Sequence, residues 1–270
     1  MTQAMHVLQP QGDPDRFFER LARAERCALL LDYDGTLAPF HVDPAQALPH
    51  PGVRAALNAL LAAQDTRLII ISGRWTRDLL PLLGLDRQPE VWGSHGWERC
   101  RPDGRCETRR PDERALQALA QADHWSESVA ALGARRELKP ASLAIHWRGL
   151  DPHAVHRIRA DVLEQWALYA RDQGLEAHDF DGGIELRVAG CSKADVVRTI
   201  AAESGNAPMA YLGDDFTDED AFRVLRPGDL GVLVRSDIRA TAAGLWLRPP
   251  GDLLDFLRRW SEVRAARRAC

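Results

Sequence analysis

Residues 27–37 read C-A-L-L-L-D-Y-D-G-T-L, an apolar run that stops abruptly at Asp32, Asp34, Gly35 and Thr36. A continuous apolar run of this length suits a strand covered by helices on both faces, because neither face meets water. Two carboxylates then stand beyond the strand end, and Gly35 lets the backbone turn sharply there. An ordinary core strand followed by an Asp-Gly turn would need only part of this string. The whole pattern D-x-D-G-T-L after a hydrophobic strand is restrictive enough to mark a reactive loop.

Two further apolar runs end in the same way. Residues 67–71, R-L-I-I-I, lead into Ser72, Gly73 and Arg74, and residues 208–213, P-M-A-Y-L-G, lead into Asp214, Asp215 and, three residues on, Asp218. Helical patterns separate these runs, at 53–64, where Leu57, Leu60 and Leu61 form the apolar stripe, and at 192–203, whose first turn carries Lys193. Strands alternating with helices make a parallel sheet, so Asp32, Ser72 and Asp214 all emerge at carboxyl ends of strands, the edge where open α/β sheets bind ligands. Asp32, Asp34, Asp214, Asp215 and Asp218 would repel one another there without a cation. Hard oxygen ligands at this density suit Mg²⁺ beside a phosphate. A small hydroxyl after a strand also caps helices, and an acidic run also complements a helix start, so Ser72 and Asp218 have local explanations too. A fourth run, residues 91–98, carries His95, for which a core histidine is the simpler reading.

Composition excludes several classes. The chain has 270 residues, a net charge of −4, and no apolar run near the length of a membrane span, so neither nucleic acid nor a membrane is an expected partner and a cytoplasmic location is expected. Five cysteines, Cys27, Cys100, Cys106, Cys191 and Cys270, lack any C-x-x-C pair. Reduced thiols are expected, although Cys100 and Cys106 are close enough to pair across a turn. Of 35 basic residues only Lys139 and Lys193 are lysines, which draws attention to positions where a compact ammonium serves better than a planar fork.

From about residue 109 the pattern changes. A helix is expected at 111–132, strands at 135–138 and 141–148, a second helix at 151–173, and a hairpin at 175–180 and 182–188 turned by Asp181 and Gly182. The αββ unit thus occurs twice, which builds a small sheet with helices on one face. The expected fold class is α/β: a doubly wound parallel sheet formed by residues 1–108 and 189–270, with a smaller α+β domain, αββαββ, inserted at 109–188. Helices at 13–26 and 253–266 close the core, the arginines of the latter reading as a solvated face.

The first string resembles the first motif of the haloacid dehalogenase-like phosphohydrolases, S-G-R resembles their second, and the insertion lies where their class II cap lies. Within that superfamily, L-D-Y-D-G-T-L-A-P, G-D-D-F-T-D-E-D, and a cap strand ending at His146 and Arg148 after Glu137 and Lys139 resemble the trehalose-6-phosphate phosphatases, over about residues 27–225. The resemblance implies Mg²⁺-dependent hydrolysis of trehalose 6-phosphate through an aspartyl-phosphate. Asp32 would be the nucleophile and Asp34 the acid and base. Ser72 and Lys193 would bind phosphate oxygens, with Gly73 and Arg74 near the rim. Mg²⁺ would be held by Asp32, the backbone carbonyl of Asp34 and Asp214, with Asp215 or Asp218 in support. Glu137, Lys139, His146, Arg148 and Glu185 would hydrogen-bond the sugar from the cap, which closes over the site. The small-molecule sugar phosphate is the expected partner, and a trehalose-6-phosphate synthase a candidate second one.

Two positions depart from the family pattern: Val188 stands where a proline is usual, and Ala194 where a glycine is usual. Rival readings are a phosphatase for sucrose phosphate or mannosylglycerate phosphate, a phosphomutase, and a non-catalytic sugar-phosphate sensor or synthase subunit. Intact Asp32, Asp34, Lys193 and Asp214 favour an enzyme over the last of these.

Overall fold

The computed structural model describes residues 5–9, 12–170 and 173–268, with the backbone alone at 169 and 170. In chain order the first elements are β1 (His6–Val7), α1 (Pro14–Arg23), β2 (Ala28–Asp32), α2 (Val53–Ala63), β3 (Arg67–Ile71), α3 (Thr76–Leu83), β4 (Glu90–Gly93), β5 (Glu98–Cys100) and β6 (Cys106–Thr108). There follow α4 (Glu113–Trp125), α5 (Glu127–Ala130), β7 (Arg135–Lys139), β8 (Ser142–His146), α6 (Pro152–Ala170), β9 (Leu175–Phe180) and β10 (Gly183–Val188). The last are α7 (Lys193–Ser204), β11 (Met209–Gly213), α8 (Phe216–Arg223), β12 (Leu230–Val234), β13 (Leu245–Leu247) and α9 (Gly251–Arg268). The chain divides into two compact units, Met1–Glu107 with Ser192–Cys270, and Thr108–Cys191.

The first unit is built on a nine-stranded sheet of order β1-β13-β12-β11-β2-β3-β4-β5-β6. The six strands from β13 to β4 are parallel, and β1 and β5 pair antiparallel at either side of them. From the centre the chain runs outward through β2, β3 and β4 on one side and through β11, β12 and β13 on the other. The order therefore reverses between β2 and β11, and a crevice opens beyond their carboxyl ends. Asp32 ends β2, and Asp214 follows β11 directly.

The apolar runs are sorted by the pleat. Leu29, Leu31, Leu68, Ile70, Leu212 and Val232 face one layer, where Phe17 and Leu21 of α1, Leu57 and Leu60 of α2, and Phe256 and Trp260 of α9 cover them. Leu30, Ile69, Ile71, Tyr211 and Leu233 face the other, against Val196, Val197 and Ile200 of α7 and Phe222 of α8. Burial on both faces explains the absence of alternation in the sequence. It also anchors the strand ends on which the polar loops stand.

Several expectations are corrected here. Arg264 of α9 does not belong to a solvated face but is buried. Its guanidinium donates to the carbonyls of Leu21 and Ala24 at 3.0 and 2.6 Å and of Glu25 and Asp65 at 3.1 and 3.0 Å. Those carbonyls lie at and beyond the end of α1 and before β3, where backbone acceptors lack helical partners, and a planar fork serves four at once. Cys100 and Cys106 are joined in a disulfide, not reduced. The turn between them, closed by the Arg101 N–H on the Arg105 carbonyl at 2.8 Å, brings the two side chains together. The strands β1, β5 and β6 and the helix α3 were not legible: the strands have two or three residues each, and α3 has Pro81 inside it and no capping side chain at Trp75.

The second unit carries a four-stranded antiparallel sheet, β7-β8-β10-β9. Leu143 and Ile145 of β8 and Ile184 and Leu186 of β10 are buried, as are Leu119 of α4 and Ile158, Val162 and Trp166 of α6. The helix expected at 111–132 is interrupted at Ser126, whose hydroxyl donates to the Asp123 carbonyl at 2.8 Å. The helix expected at 151–173 is described from Pro152 to Ala170, and residues 171 and 172 lie outside the described residues.

Candidate active site

Asp32 is buried at the end of β2, with all of its strand neighbours apolar. Its compensation comes from α7. Ser192 caps that helix, its hydroxyl accepting from the Asp195 N–H at 3.3 Å, and so fixes the first turn. Lys193 is thereby aimed at the strand ends, where its ammonium donates to Asp32 Oδ1 and to Asp218 Oδ1, both at 2.6 Å. The Thr36 hydroxyl lies 3.4 Å from Asp32 Oδ2.

Asp218 accepts from four donors. Besides Lys193, Oδ1 takes the Tyr211 hydroxyl at 2.5 Å, while Oδ2 takes the backbone N–H groups of Asp214 and Asp215 at 3.1 and 3.0 Å. Asp215 caps α8, accepting from the Phe216 N–H at 2.7 Å. Both acidic residues therefore shape the start of α8, as the local reading of this run expects. Asp214 is different: both of its carboxylate oxygens are buried without a hydrogen-bond partner among the described residues. Gly35 makes its position available, since a Cβ there would collide with the Asp214 carboxylate.

Charge in this cluster is unbalanced. Burial raises the Asp32 carboxyl to about 7 against the opposing pull of Lys193. Burial also raises Asp214 well above the usual carboxylate range, with Asp32, Asp218 and Asp215 adding to it. For Lys193 burial acts against the charged form, but Asp218 and Asp32 outweigh it and hold the ammonium above the ordinary lysine range. Asp32, Asp214 and Asp218 offer oxygens within 4.8 Å of one another. The orphaned oxygens of Asp214, hard donors next to a second carboxylate, fit a divalent cation that prefers oxygen. Asp34 and Asp215 stand outside that group.

At the second strand end the loop is held by its own polar contacts. Ser72 is buried, and its hydroxyl accepts from the Arg74 N–H at 3.1 Å. Gly73 leaves room for the imidazole of His95, which would stand 2.6 Å from a Cβ, and His95 is itself buried in a left-handed conformation at φ 56°. Arg74 grips Asp34 with two bonds of 2.6 Å.

One organising residue was missed altogether. Arg239, in the loop after β12, donates to the carbonyls of Asp214 and Asp215 at 3.1 and 2.8 Å and to Glu219 at 2.5 Å. It braces the acidic loop from outside. Nothing in its sequence neighbourhood distinguishes it from other surface arginines.

In the second unit four of the five expected sugar-binding residues fall into two pairs, Glu185 with Lys139 and His146 with Glu137. Glu185, almost fully buried, accepts from Lys139 at 2.9 Å, Ser142 at 2.7 Å and Arg187 at 2.7 Å. His146 and Glu137 are paired at 2.8 Å. Burial holds the His146 imidazole below its ordinary range, while Glu137, despite its own burial, is brought down to about 2 by the His146 hydrogen bond and by Lys139. Arg148 donates to the carbonyl of Asp181 at the β9–β10 turn at 2.5 Å.

A family model described as trehalose-phosphatase matches residues 30–244. The chain belongs to the trehalose-phosphatase family. A probable trehalose-phosphate phosphatase 9 from Oryza sativa subsp. japonica is 33% identical over 92% of this chain and 74% of its own length. A trehalose-phosphate phosphatase from Mycobacterium ulcerans is 33% identical over 95% of this chain, which spans only 65% of that relative. The fold is that of the C-terminal domain of a trehalose-6-phosphate phosphatase from C. albicans, at a TM-score of 0.83 and 22% identity, covering 96% of this chain and 99% of that one.

The trehalose-phosphatase family is one of phosphoric monoester hydrolases, the enzyme class expected from the sequence. Of the two departures from its usual pattern, Val188 has a structural consequence. Its N–H donates to the Ala141 carbonyl at 2.8 Å, a bond that a proline at this place would forfeit. Among the described residues no helix is long and apolar enough to cross a membrane.

Proposed function

We propose that the chain hydrolyses trehalose 6-phosphate to trehalose and inorganic phosphate, with Mg²⁺ as cofactor and Asp32 as nucleophile. The observation that carries this reading is the pairing of Lys193 with Asp32 at the strand-end crevice, beside the two unpartnered oxygens of Asp214. A buried carboxylate, a buried ammonium and an orphaned pair of hard oxygens are what the transfer of a dianionic phosphoryl group requires.

Lys193 engages Asp32 Oδ1, which leaves Oδ2 to attack phosphorus. An acyl-phosphate bond forms at Asp32 as the bond from phosphorus to the sugar oxygen breaks, and Asp34 gives that oxygen its proton. Water then attacks phosphorus, its proton passes to Asp34, and Asp32 is restored. Ser72 and Lys193 bind the remaining phosphate oxygens. Mg²⁺ bound by Asp32, Asp214 and the backbone carbonyl of Asp34 would offset the charge of the phosphoryl group, while Asp218, with its four donors, holds Lys193 and the acidic loop in place. Glu137, Lys139, His146, Arg148 and Glu185 read the sugar hydroxyls, the ionic groups among them being arranged in advance by one another.

Phosphate release from a panel of sugar phosphates tests the reading. Trehalose 6-phosphate is expected to exceed sucrose 6-phosphate and glucose 6-phosphate by at least ~10-fold in kcat/KM, with activity abolished by EDTA and restored by Mg²⁺. A preference for another sugar phosphate would overturn the substrate, and full turnover in EDTA would overturn the cofactor.

A further inference from the structure

Arg74 directs its guanidinium into its own unit. Nε donates to Asp34 Oδ2 and Nη2 to Asp34 Oδ1, each at 2.6 Å, and Nη1 donates to the Pro44 carbonyl at 2.8 Å. The guanidinium lies over the ring of Tyr33, 5.6 Å from its centroid, and the Tyr33 hydroxyl donates to the Ala47 carbonyl at 2.7 Å. The loop after β2, the loop after β3 and the proline-rich stretch 39–51 thus close around one carboxylate. A two-point grip of fork on carboxylate fixes the plane of the carboxylate as well as its position, which a single bond or an ammonium does not.

We propose that Arg74 is a positioning residue for Asp34, and that residues 39–51 belong to the same device because the Pro44 carbonyl holds the guanidinium. The proposal rests on the reading of Asp34 as the group that exchanges a proton with the leaving oxygen. Each Asp34 oxygen retains a lone pair outside the guanidinium contact. Transfer takes place on that side: the proton moves from Asp34 to the sugar oxygen as the phosphorus–oxygen bond breaks, and a proton from water returns to Asp34 as water attacks the phosphorylated Asp32.

The leaving group supplies the test. A sugar alkoxide needs protonation, whereas the phenolate of an aryl phosphate departs with little help, so loss of acid function shows in kcat/KM for the first and much less for the second. Arg74→Gln, Arg74→Lys, Asp34→Asn and the double variant Asp34→Asn with Arg74→Gln are compared on trehalose 6-phosphate and p-nitrophenyl phosphate, with circular dichroism confirming each fold. Asp34→Asn is expected to lose ~10²-fold or more on the sugar phosphate relative to the aryl phosphate. Arg74→Gln is expected to show the same selectivity at ~10- to 100-fold, through kcat and not KM, and to add nothing in the Asp34→Asn background. Arg74→Lys keeps the charge but not the fork and is expected to behave like Arg74→Gln. Equal losses on both substrates with a raised KM, additivity with Asp34→Asn, or full activity in Arg74→Lys would each overturn the proposal. If Asp34→Asn itself lost kcat/KM equally on both substrates, the underlying assignment of Asp34 as the acid would fall, and the proposal with it.

Discussion

Asp214 and Asp218 lie four residues apart in one acidic run, yet their surroundings assign them opposite tasks. Asp218 accepts from Lys193, Tyr211 and two backbone N–H groups, whereas Asp214 accepts from none of the described residues. Removing Asp218 leaves a buried ammonium with half its compensation, so Asp218→Ala should cost about 3–5 kcal/mol of stability, read as a lowered urea midpoint. Asp214→Asn removes a buried carboxyl that accepts no hydrogen bond from the described residues. It should unfold no more easily than the wild type in EDTA, yet raise the Mg²⁺ concentration for half-maximal activity by at least ~10-fold. Equal destabilisation by the two substitutions would mean that the roles are misassigned. The sequence shows both aspartates and their place after a strand. It does not show which lone pairs are filled, because the partners come from α7 and β11 and are fixed only by packing. The same holds for the grip of Arg74 on Asp34, across 40 residues of chain.

At the scale of elements, periodicity decided most of the fold. Buried parallel strands have a clear signature, and β3 runs over residues 67–71 as expected. Elements short enough to be defined by a few tertiary bonds left no pattern, as β1, β5 and β6 illustrate. The antiparallel sheet of the second unit was legible from alternation and the Asp181–Gly182 turn, but its ionic interior was not, since charged residues on strands ordinarily face water. There Glu137 makes a testable contribution. Its carboxyl lies near about 2 in the folded chain against an ordinary value of 4.5, so the folded state favours the ionised form. The resulting stabilisation is complete above the ordinary value and is lost as pH falls towards the folded one. The stability difference between wild type and Glu137→Gln, on the order of 1–2 kcal/mol after allowance for partial exposure, should therefore shrink between about pH 5 and pH 3. A difference that stayed constant across that range in thermal melts would show that the carboxylate is not stabilised by His146 and Lys139.

For the whole molecule, the decisive feature is the reversal of strand order between β2 and β11, which places Asp32 and Asp214 on adjacent strand ends and leaves α7 to bring Lys193 across them. The proposed function makes Asp32, at the end of β2 and paired with Lys193, the nucleophile on which the reaction turns. The most direct measurement is rapid acid quenching of the enzyme during turnover of trehalose 6-phosphate, followed by peptide mass spectrometry of the segment containing residues 27–37. The account predicts a phosphoryl group on Asp32, formed only with Mg²⁺ and absent in Asp32→Asn, which should be folded and inactive. Undiminished turnover by Asp32→Asn, or a phosphoryl group trapped on a different residue, would contradict it.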